Sequence, residues 1–306
     1  MRIAVIGAGL AGLTAARELH EEGHTVVVWE KSRGPGGRTS TRRGPNGMRF
    51  DHGAPFLHDG HLPLDEVAGA LRHRLNLPGG ATREEIVGAP AANAPAKRLA
   101  RGLDLRARQR VETILRSGAQ YHLAAEDGGA MGVFDAVAVT APAPQAADLL
   151  EHAAPWLAER ARSVDYAPCW SVMAAWDEPL HLGFTATTDI PGIALAVAED
   201  AKPGRGDGER WVLQLDEALS AEHLEAEPDD IIALALDRWH ARIGRTEPAP
   251  VHAAAHRWRY ARPRVPLPET CLSAGTIVAA GDWCGGHSAG AAIRSGRAAA
   301  AALAGA

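Results

Sequence analysis

The 306-residue chain predicts an α/β fold, a parallel sheet flanked by helices and joined to a smaller mixed β-sheet unit. Three observations predict it. A short apolar strand from Arg2 runs into Gly7-Ala8-Gly9-Leu10-Ala11-Gly12 and then a helix. Residues 134–140 and 276–280 are nearly continuous in apolar residues, as strands buried on both faces are. Residues 169–176 and 210–215 are β-rich and carry tryptophans, which supplies the second sheet.

In chain order, Leu10, Leu13, Ala16 and Leu19 recur at helical spacing over 10–22, and Gly23 ends that helix. Residues 25–29 make a second strand that closes at Glu30, completing a βαβ opening. A loop dense in glycine and arginine follows from Lys31 to Gly47. A helix is expected around 64–75. Irregular structure is expected over 76–97, where proline, glycine and alanine crowd together. Residues 105–114 and 121–125 read as strands of a small antiparallel unit. The strand at 134–140 is stopped by Ala141-Pro142-Ala143-Pro144, and a helix passes through Leu149-Leu150. Pro228 to Ile243 reads as a helix, with Pro228 and the acidic pair Asp229-Asp230 suited to its first turn. The strand at 276–280 enters Gly281-Asp282, and the last helix begins near Ala289-Gly290. The expected division is 1–72, 98–160 and 262–306 for one domain, 73–97 and 161–261 for the other.

Composition narrows the function. Hydrophobic residues make up 46%, ample for a core, and a formal charge of −5 gives no sign of a nucleic-acid partner. No apolar run approaches the ~20 residues that span a bilayer, so no membrane association is expected. Met1-Arg2 precedes an apolar stretch, but Arg17-Glu18-Leu19-His20-Glu21-Glu22 breaks it, so it does not read as a secretory signal. Cys169, Cys271 and Cys284 form no C-x-x-C pair, which fits a reducing cytoplasm. The fourteen histidines show no H-E-x-x-H spacing, and no metal site is expected. The sequence leaves the oligomeric state open.

The glycine-rich opening is a phosphate cradle. Gly7 permits the tight turn, Gly9 lets backbone approach a pyrophosphate, and Gly12 lets helix pack on strand. The helix N-terminus offers free N–H groups and a positive dipole end, and Glu30 suits a ribose hydroxyl. Three further segments select FAD over a nicotinamide as the resident dinucleotide. Gly36-Gly37-Arg38 adds a second backbone approach and a guanidinium. Gly281-Asp282 offers a carboxylate for ribityl hydroxyls, ahead of a helix whose N-terminus suits a flavin edge that gains negative charge. Gly53-Ala54, within Phe50-Asp51-His52-Gly53-Ala54, suits close approach to a flat ring.

With these residues in place the chain resembles the glutathione-reductase-like flavoproteins with a Rossmann-like FAD-binding domain, the amine oxidase branch in particular. Val87-Gly88-Ala89-Pro90, Trp211-Val212-Leu213-Gln214, His256-Arg257-Trp258-Arg259-Tyr260-Ala261 and Gly281-Asp282-Trp283-Cys284 look like renalase and its bacterial relatives. The resemblance implies non-covalent FAD. It implies oxidation of dihydronicotinamide isomers by hydride transfer to flavin N5, with electrons passed to oxygen to give peroxide. It also implies FAD contacts from Gly7, Gly9, Leu10, Ala11, Gly12, Glu30, Lys31, Gly36, Gly37, Arg38 and Asp282, with Gly281 alongside. Gly290, Ala291 and Ile293 would lie beside the flavin, and Val111 would meet the adenine through its backbone. Pro55-Phe56 and Ala92 depart from that pattern at positions near the pocket wall.

Hydride transfer asks for positioning more than for acid–base groups, and no Ser-His-Asp order or carboxylate pair stands out. The catalytic residues are not fixed by the sequence. Pocket candidates are Trp170, Met173, Trp211 and Gln214, which suit a flat ring, and His256, Trp258 and Tyr260 on one face of an alternating strand. That strand also reads as a plain interdomain strand with a solvated arginine face. Cys284 beside Gly281-Asp282 reads as a small buried residue more than as a covalent flavin anchor. Competing readings are a flavin amine oxidase or a pathway-specific dehydrogenase or desaturase, a non-redox flavoprotein such as a cyclase or isomerase, and a nucleotide-binding protein without catalysis.

Overall fold

The computed structural model describes residues 1–57, 69–244 and 248–306. The opening βαβ unit is β1 (Arg2–Ile6), α1 (Leu10–Glu21) and β2 (Thr25–Glu30). The strands β1 and β2 are buried beyond their first residues, which explains their apolar makeup. A short hairpin follows, β3 (Arg42–Arg43) with β4 (Arg49–Phe50), and then a longer one, β5 (Ala70–Asn76) with β6 (Thr82–Gly88). α2 (Ala94–Leu99) leads into β7 (Asp104–Ala107).

The next three strands, β8 (Thr113–Ser117), β9 (Gln120–Ala124) and β10 (Ala130–Phe134), form an antiparallel sheet. β11 (Ala136–Val139) returns to the first sheet, with α3 (Ala143–Leu150) and α4 (Pro155–Arg162) behind it. The second large sheet uses β12 (Tyr166–Trp176), β13 (Ala186–Thr187), β14 (Ile193–Ala198) and β15 (Glu209–Leu215). α5 (Glu217–Glu222) and α6 (Pro228–Ile243) then precede its last strand, β16 (His252–Pro263). The chain ends with β17 (Leu272–Ala274), β18 (Ile277–Ala279) and α7 (Ala289–Ala304).

The first sheet has the order β17-β18-β11-β1-β2-β7, parallel except at β17. Its central strand ends beside the glycine turn, as the topology of a dinucleotide cradle requires. The second sheet has the antiparallel order β13-β14-β15-β12-β16. One face of that sheet is covered by α5 and α6. There Trp170, Trp176, Trp211 and Trp239 form a buried core.

Several expectations need correction. The helix expected around 64–75 falls partly outside the described residues, and from Ala70 the chain is a strand paired with β6. Residues 76–97 are not irregular, since they hold β6 and α2. The stretch 105–114 divides: β7 joins β2 in parallel, and only Thr113–Ser117 belongs to the antiparallel unit. For β5 and β6 the hairpin pairing, and for β7 the pairing with distant β2, override the local pattern. No helix among the described residues is long and apolar enough to cross a membrane.

Candidate active site

The glycine turn is built by backbone crowding. Gly7 takes a φ of +109°, in the region that favours glycine, and a Cβ at Gly12 would overlap the Gly7 carbonyl. A Cβ at Gly9 would meet nothing within 4 Å, so this turn has room for a ligand. Leu10 and Ala11 are buried in the first turn of α1, which no side chain caps, so its first amides remain available to an anion. Glu30 is buried beside them. Its carboxylate accepts from the amides of Ala8 at 2.8 Å and Ser32 at 2.6 Å, which pins the acid at the turn. The Gly36 amide donates to the Ala8 carbonyl, so the second glycine pair closes over the first. An ideal Cβ at Gly37 would stand 3.3 Å from the Gly9 Cα.

Arg38 and Asp282, from opposite ends of the chain, form a two-pronged ion pair at 2.6 and 2.8 Å. Burial works against the Arg38 charge, but Asp282 and then Tyr166 hold its pKa above the ordinary value. The Gly281 amide donates to Ser295 Oγ at 2.9 Å, fixing the strand end to α7. Ser288 caps α7, accepting from the Ala291 amide at 3.1 Å, so that amide is already satisfied. Gly290, Ala291 and Ile293 are buried in the first turns of α7, and Ile293 packs in the core that contains α1. Val111 is also buried, and the nearby Gln109 amide donates to the Glu30 carbonyl. Lys31 donates to Gln145 at 3.0 Å; burial and then Arg110 lower its pKa.

A wall stands beside Gly53-Ala54. In β12, Ser171 lies between Gln214 of β15 and His256 of β16, so Met173, Gln214, His256 and Trp258 belong to the face opposite the helices. Gln214 donates to the Gly53 carbonyl at 2.6 Å and Trp258 to the His52 carbonyl at 2.8 Å. The rings of His52, His256 and Trp258 cluster with centroids 4.4–5.2 Å apart. Burial, then His256 and Arg42, lowers the His52 pKa to about 4; burial and Arg42 lower that of His256. Both rings are therefore neutral near pH 7. Met173 is buried against Phe50 and Val212 behind this wall. Tyr260 meets Tyr166 edge-on at 5.8 Å, near Arg38.

Two candidates are corrected. Trp170 and Trp211 point to the helix-covered side, where they pack with Trp239 in the core and do not line this wall. Trp170 and Met173, like Trp211 and Gln214, are three residues apart and fall on opposite faces of their strands, so alternation divides these candidates, and the helices decide which face is covered. Gly53 also has a different reason for being glycine: its missing Cβ makes room for the Arg38 carbonyl. Burial raises the Cys284 pKa, which keeps this thiol protonated.

Sequence reading missed a buried ionic cluster. Asp51 accepts from Thr41 at 2.7 Å, from the Ala92 amide at 3.1 Å and from Arg205 Nε at 3.1 Å. Lys202 lies 3.4 Å from Asp51 and 2.6 Å from Glu199, and Glu199 accepts from the Asp51 amide at 2.9 Å. Burial alone would raise the Asp51 pKa, but Lys202 and Arg205 bring it below the ordinary range; burial leaves that of Glu199 raised. This cluster braces the strand-to-loop segment that carries His52 and Gly53. Only the unusual Asp-His in an apolar run hinted at it.

Residues 74–304 match the family model described as flavin containing amine oxidoreductase, and 5–69 match that of an NAD(P)-binding Rossmann-like domain. Over 76 residues the chain is 41% identical to "Putative flavin-containing monoamine oxidase AofH" of Mycobacterium tuberculosis, covering 25% of this chain and 16% of that protein. It is 69% identical over 35 residues to flavin-containing monooxygenase FMO GS-OX-like 5 of Arabidopsis thaliana, 11% of this chain and 8% of that one. These relatives are thus matched over a small part of their length. The solved structure of cyclohexylamine oxidase from Brevibacterium oxydans is similar with a TM-score of 0.78 at 14% identity, covering 99% of this chain and 98% of that one. Putrescine oxidase bound to putrescine gives 0.72 at 13% identity, with both chains fully covered. Such distant likenesses show the fold.

Proposed function

The chain belongs to the flavin containing amine oxidoreductase family, and on that premise we propose an FAD-dependent oxidase of renalase type, oxidising a dihydronicotinamide isomer or a similar small hydride donor. FAD, held by the cradle residues, would supply the hydride acceptor at N5 and the route for the electrons to oxygen, giving peroxide. In this reading the first sheet and its helices hold FAD non-covalently, with segments 1–72, 98–160 and 262–306. Segments 73–97 and 161–261 shape the donor side. The glycine turn, the first amides of α1 and Arg38 would take the pyrophosphate, Glu30 the ribose and Asp282 the ribityl hydroxyls.

The observation that carries the donor class is the wall of His52, His256 and Trp258. Its imidazoles are kept neutral in part by the charge of Arg42, and the carboxylate of neighbouring Asp51 is tied to Lys202 and Arg205. Flat neutral rings suit a dihydropyridine held in contact with the flavin. A protonated amine would meet the field of Arg42, while the carboxylate of Asp51 is already neutralised by Lys202 and Arg205.

The second reading, an amine oxidase, rests on the family itself. Anaerobic mixing separates the two. Flavin absorbance should bleach with dihydronicotinamide isomers and stay unchanged with primary amines. Bleaching by amines alone overturns the proposal.

A further inference from the structure

β4 ends at Phe50, and the chain then runs through Asp51, His52, Gly53 and Ala54 outside any strand. Each of these four residues still has a backbone group firmly held. The Asp51 amide donates to Glu199 at 2.9 Å, the His52 carbonyl accepts from Trp258 at 2.8 Å, and the Gly53 carbonyl accepts from Gln214 at 2.6 Å. The Ala54 amide donates to the Arg38 carbonyl at 2.7 Å. Glu199 directly follows β14, Gln214 lies in β15 and Trp258 in β16, so three partners come from the second sheet. The fourth belongs to the cofactor cradle.

Two of these bonds act on one peptide unit. The Gly53 carbonyl and the Ala54 amide are the opposite poles of the peptide that joins them, and such a unit is planar. Gln214 holds one pole and the Arg38 backbone the other, so the plane is fixed from both sides. Without Gln214 the unit could turn at Gly53, where the backbone is most permissive. A Cβ at Gly53 would overlap the Arg38 oxygen, so this peptide lies directly against Arg38. Arg38 donates in turn to Asp282 and, at 3.2 Å, to the Ala261 carbonyl of β16. Glu199 is sealed in the ionic cluster, and Trp258 packs on His52 and His256. Gln214 is half-buried, and its contact to Gly53 is a neutral hydrogen bond that can be removed without opening either cluster.

We infer that Gln214 is a positioning residue. It sets the plane of the Gly53–Ala54 peptide between the donor wall and the Arg38 backbone, and that plane governs how the reacting rings align. Gln214 acts through Gly53 rather than on the reacting atoms. This deepens the proposed function and rests on it for the identity of the rings. Hydride transfer is steeply sensitive to such alignment, since a small misplacement costs far more in rate than in affinity.

The test uses FAD-loaded wild type, Gln214→Met and Gln214→Glu, each variant compared with wild type at the same pH so that titration of Asp51, His52 and His256 affects both alike. Met keeps the length of the side chain but cannot donate. Glu donates only when protonated, and as a carboxylate it repels the Gly53 carbonyl. Reduction of the flavin by a dihydronicotinamide isomer is followed anaerobically. In Gln214→Met the rate at saturating donor should fall about tenfold or more, with the half-saturating concentration within about threefold of wild type and FAD content unchanged. Gln214→Glu should be as slow at about pH 8 and recover to within about threefold of wild type at about pH 5, because a half-buried carboxyl facing a carbonyl takes up its proton above the usual range. An unaltered rate in Gln214→Met overturns the inference. So does a Glu variant equally slow at both pH values, or a loss confined to half-saturation, which would make Gln214 a donor-binding group. Should the Met variant fail to fold, the recovery of the Glu variant decides alone. If no dihydronicotinamide isomer bleaches the flavin, the donor reading fails, and the positioning role is read from the flavin's absorption band and reduction potential. In Gln214→Glu both should depart from wild type at the higher pH and return at the lower. Values matching wild type throughout, or displaced equally at both pH values, overturn it.

Discussion

Arg38 and Asp282 are 244 residues apart in sequence, and Asp51 and Arg205 are 154 apart; each pair ties distant parts of the chain together beside the same site. They differ in what surrounds them. The side chains of Arg38 and Asp282 keep 27% and 10% of their surface exposed, while those of Asp51, Glu199, Lys202 and Arg205 keep none. A sealed network has no room to exchange partners. It fixes where the backbone at His52 and Gly53 lies. An open pair can keep its internal contact and still present unused donors to a phosphate, since a guanidinium has five N–H groups. A brace and a proposed phosphate-binding pair are thus built of the same residue types.

The largest expected effect is on the brace. Lys202→Met leaves Glu199 buried without its cation, and the variant should lose about 3–5 kcal/mol in urea unfolding. Glu199→Gln should cost clearly less, because the amide oxygen can still accept from Lys202 or the Asp51 amide without burying a charge. Equal losses from the two would show that Lys202 contributes through packing rather than charge.

Next comes pH. His52 has a folded pKa near 4, below its unfolded value of 6.5. The unfolded chain therefore binds the extra proton between these values, and stability contributed by the neutral ring is complete above pH 6.5 and falls as pH drops towards 4. The full difference is about 3 kcal/mol. Unfolding free energies at pH 7 and pH 4.5 should show a smaller drop in His52→Gln than in wild type. An identical drop would mean that the ring is not held neutral by this wall.

The two regions also differ in how well the sequence revealed them. The cradle was readable because its chemistry is local. Gly7, Gly9, Gly12 and Glu30 lie within one βαβ unit, and the helix from Pro228 to Ile243 was likewise fixed by its own end signals. The brace is held by contacts up to 154 residues apart, which no local pattern encodes. The strand β5 misled for a related reason. Leu71 and Leu75 are spaced as on one face of a helix, but a four-residue step also keeps one face of a strand, and pairing with β6 decides between the two. Trp170 and Trp211 were sought in the pocket because aromatic side chains suit a flat ring, but they sit an odd number of residues from Met173 and Gln214 and so turn to the face that α5 and α6 cover.

The smallest expected effect on stability is at the open pair, and there the comparison can be broken outright. Arg38→Ala removes two charge-assisted contacts to Asp282, but Asp282 borders the open side of the pair. Solvent reaching the Arg38 side can replace part of the lost contact to the mostly buried Asp282, so unfolding of the FAD-free protein should shift by about 1–2 kcal/mol, less than for the sealed cluster. FAD affinity should fall by roughly tenfold to a hundredfold, as expected from loss of charge-assisted bonds to a phosphate. Retention of flavin through gel filtration, with Kd from fluorescence titration, measures this. Arg38→Lys should recover only part of the affinity, since an ammonium gives a point charge without the planar fork. A loss of stability matching that of Lys202→Met, with FAD affinity intact, would make Arg38–Asp282 a second brace and remove the distinction between the two regions.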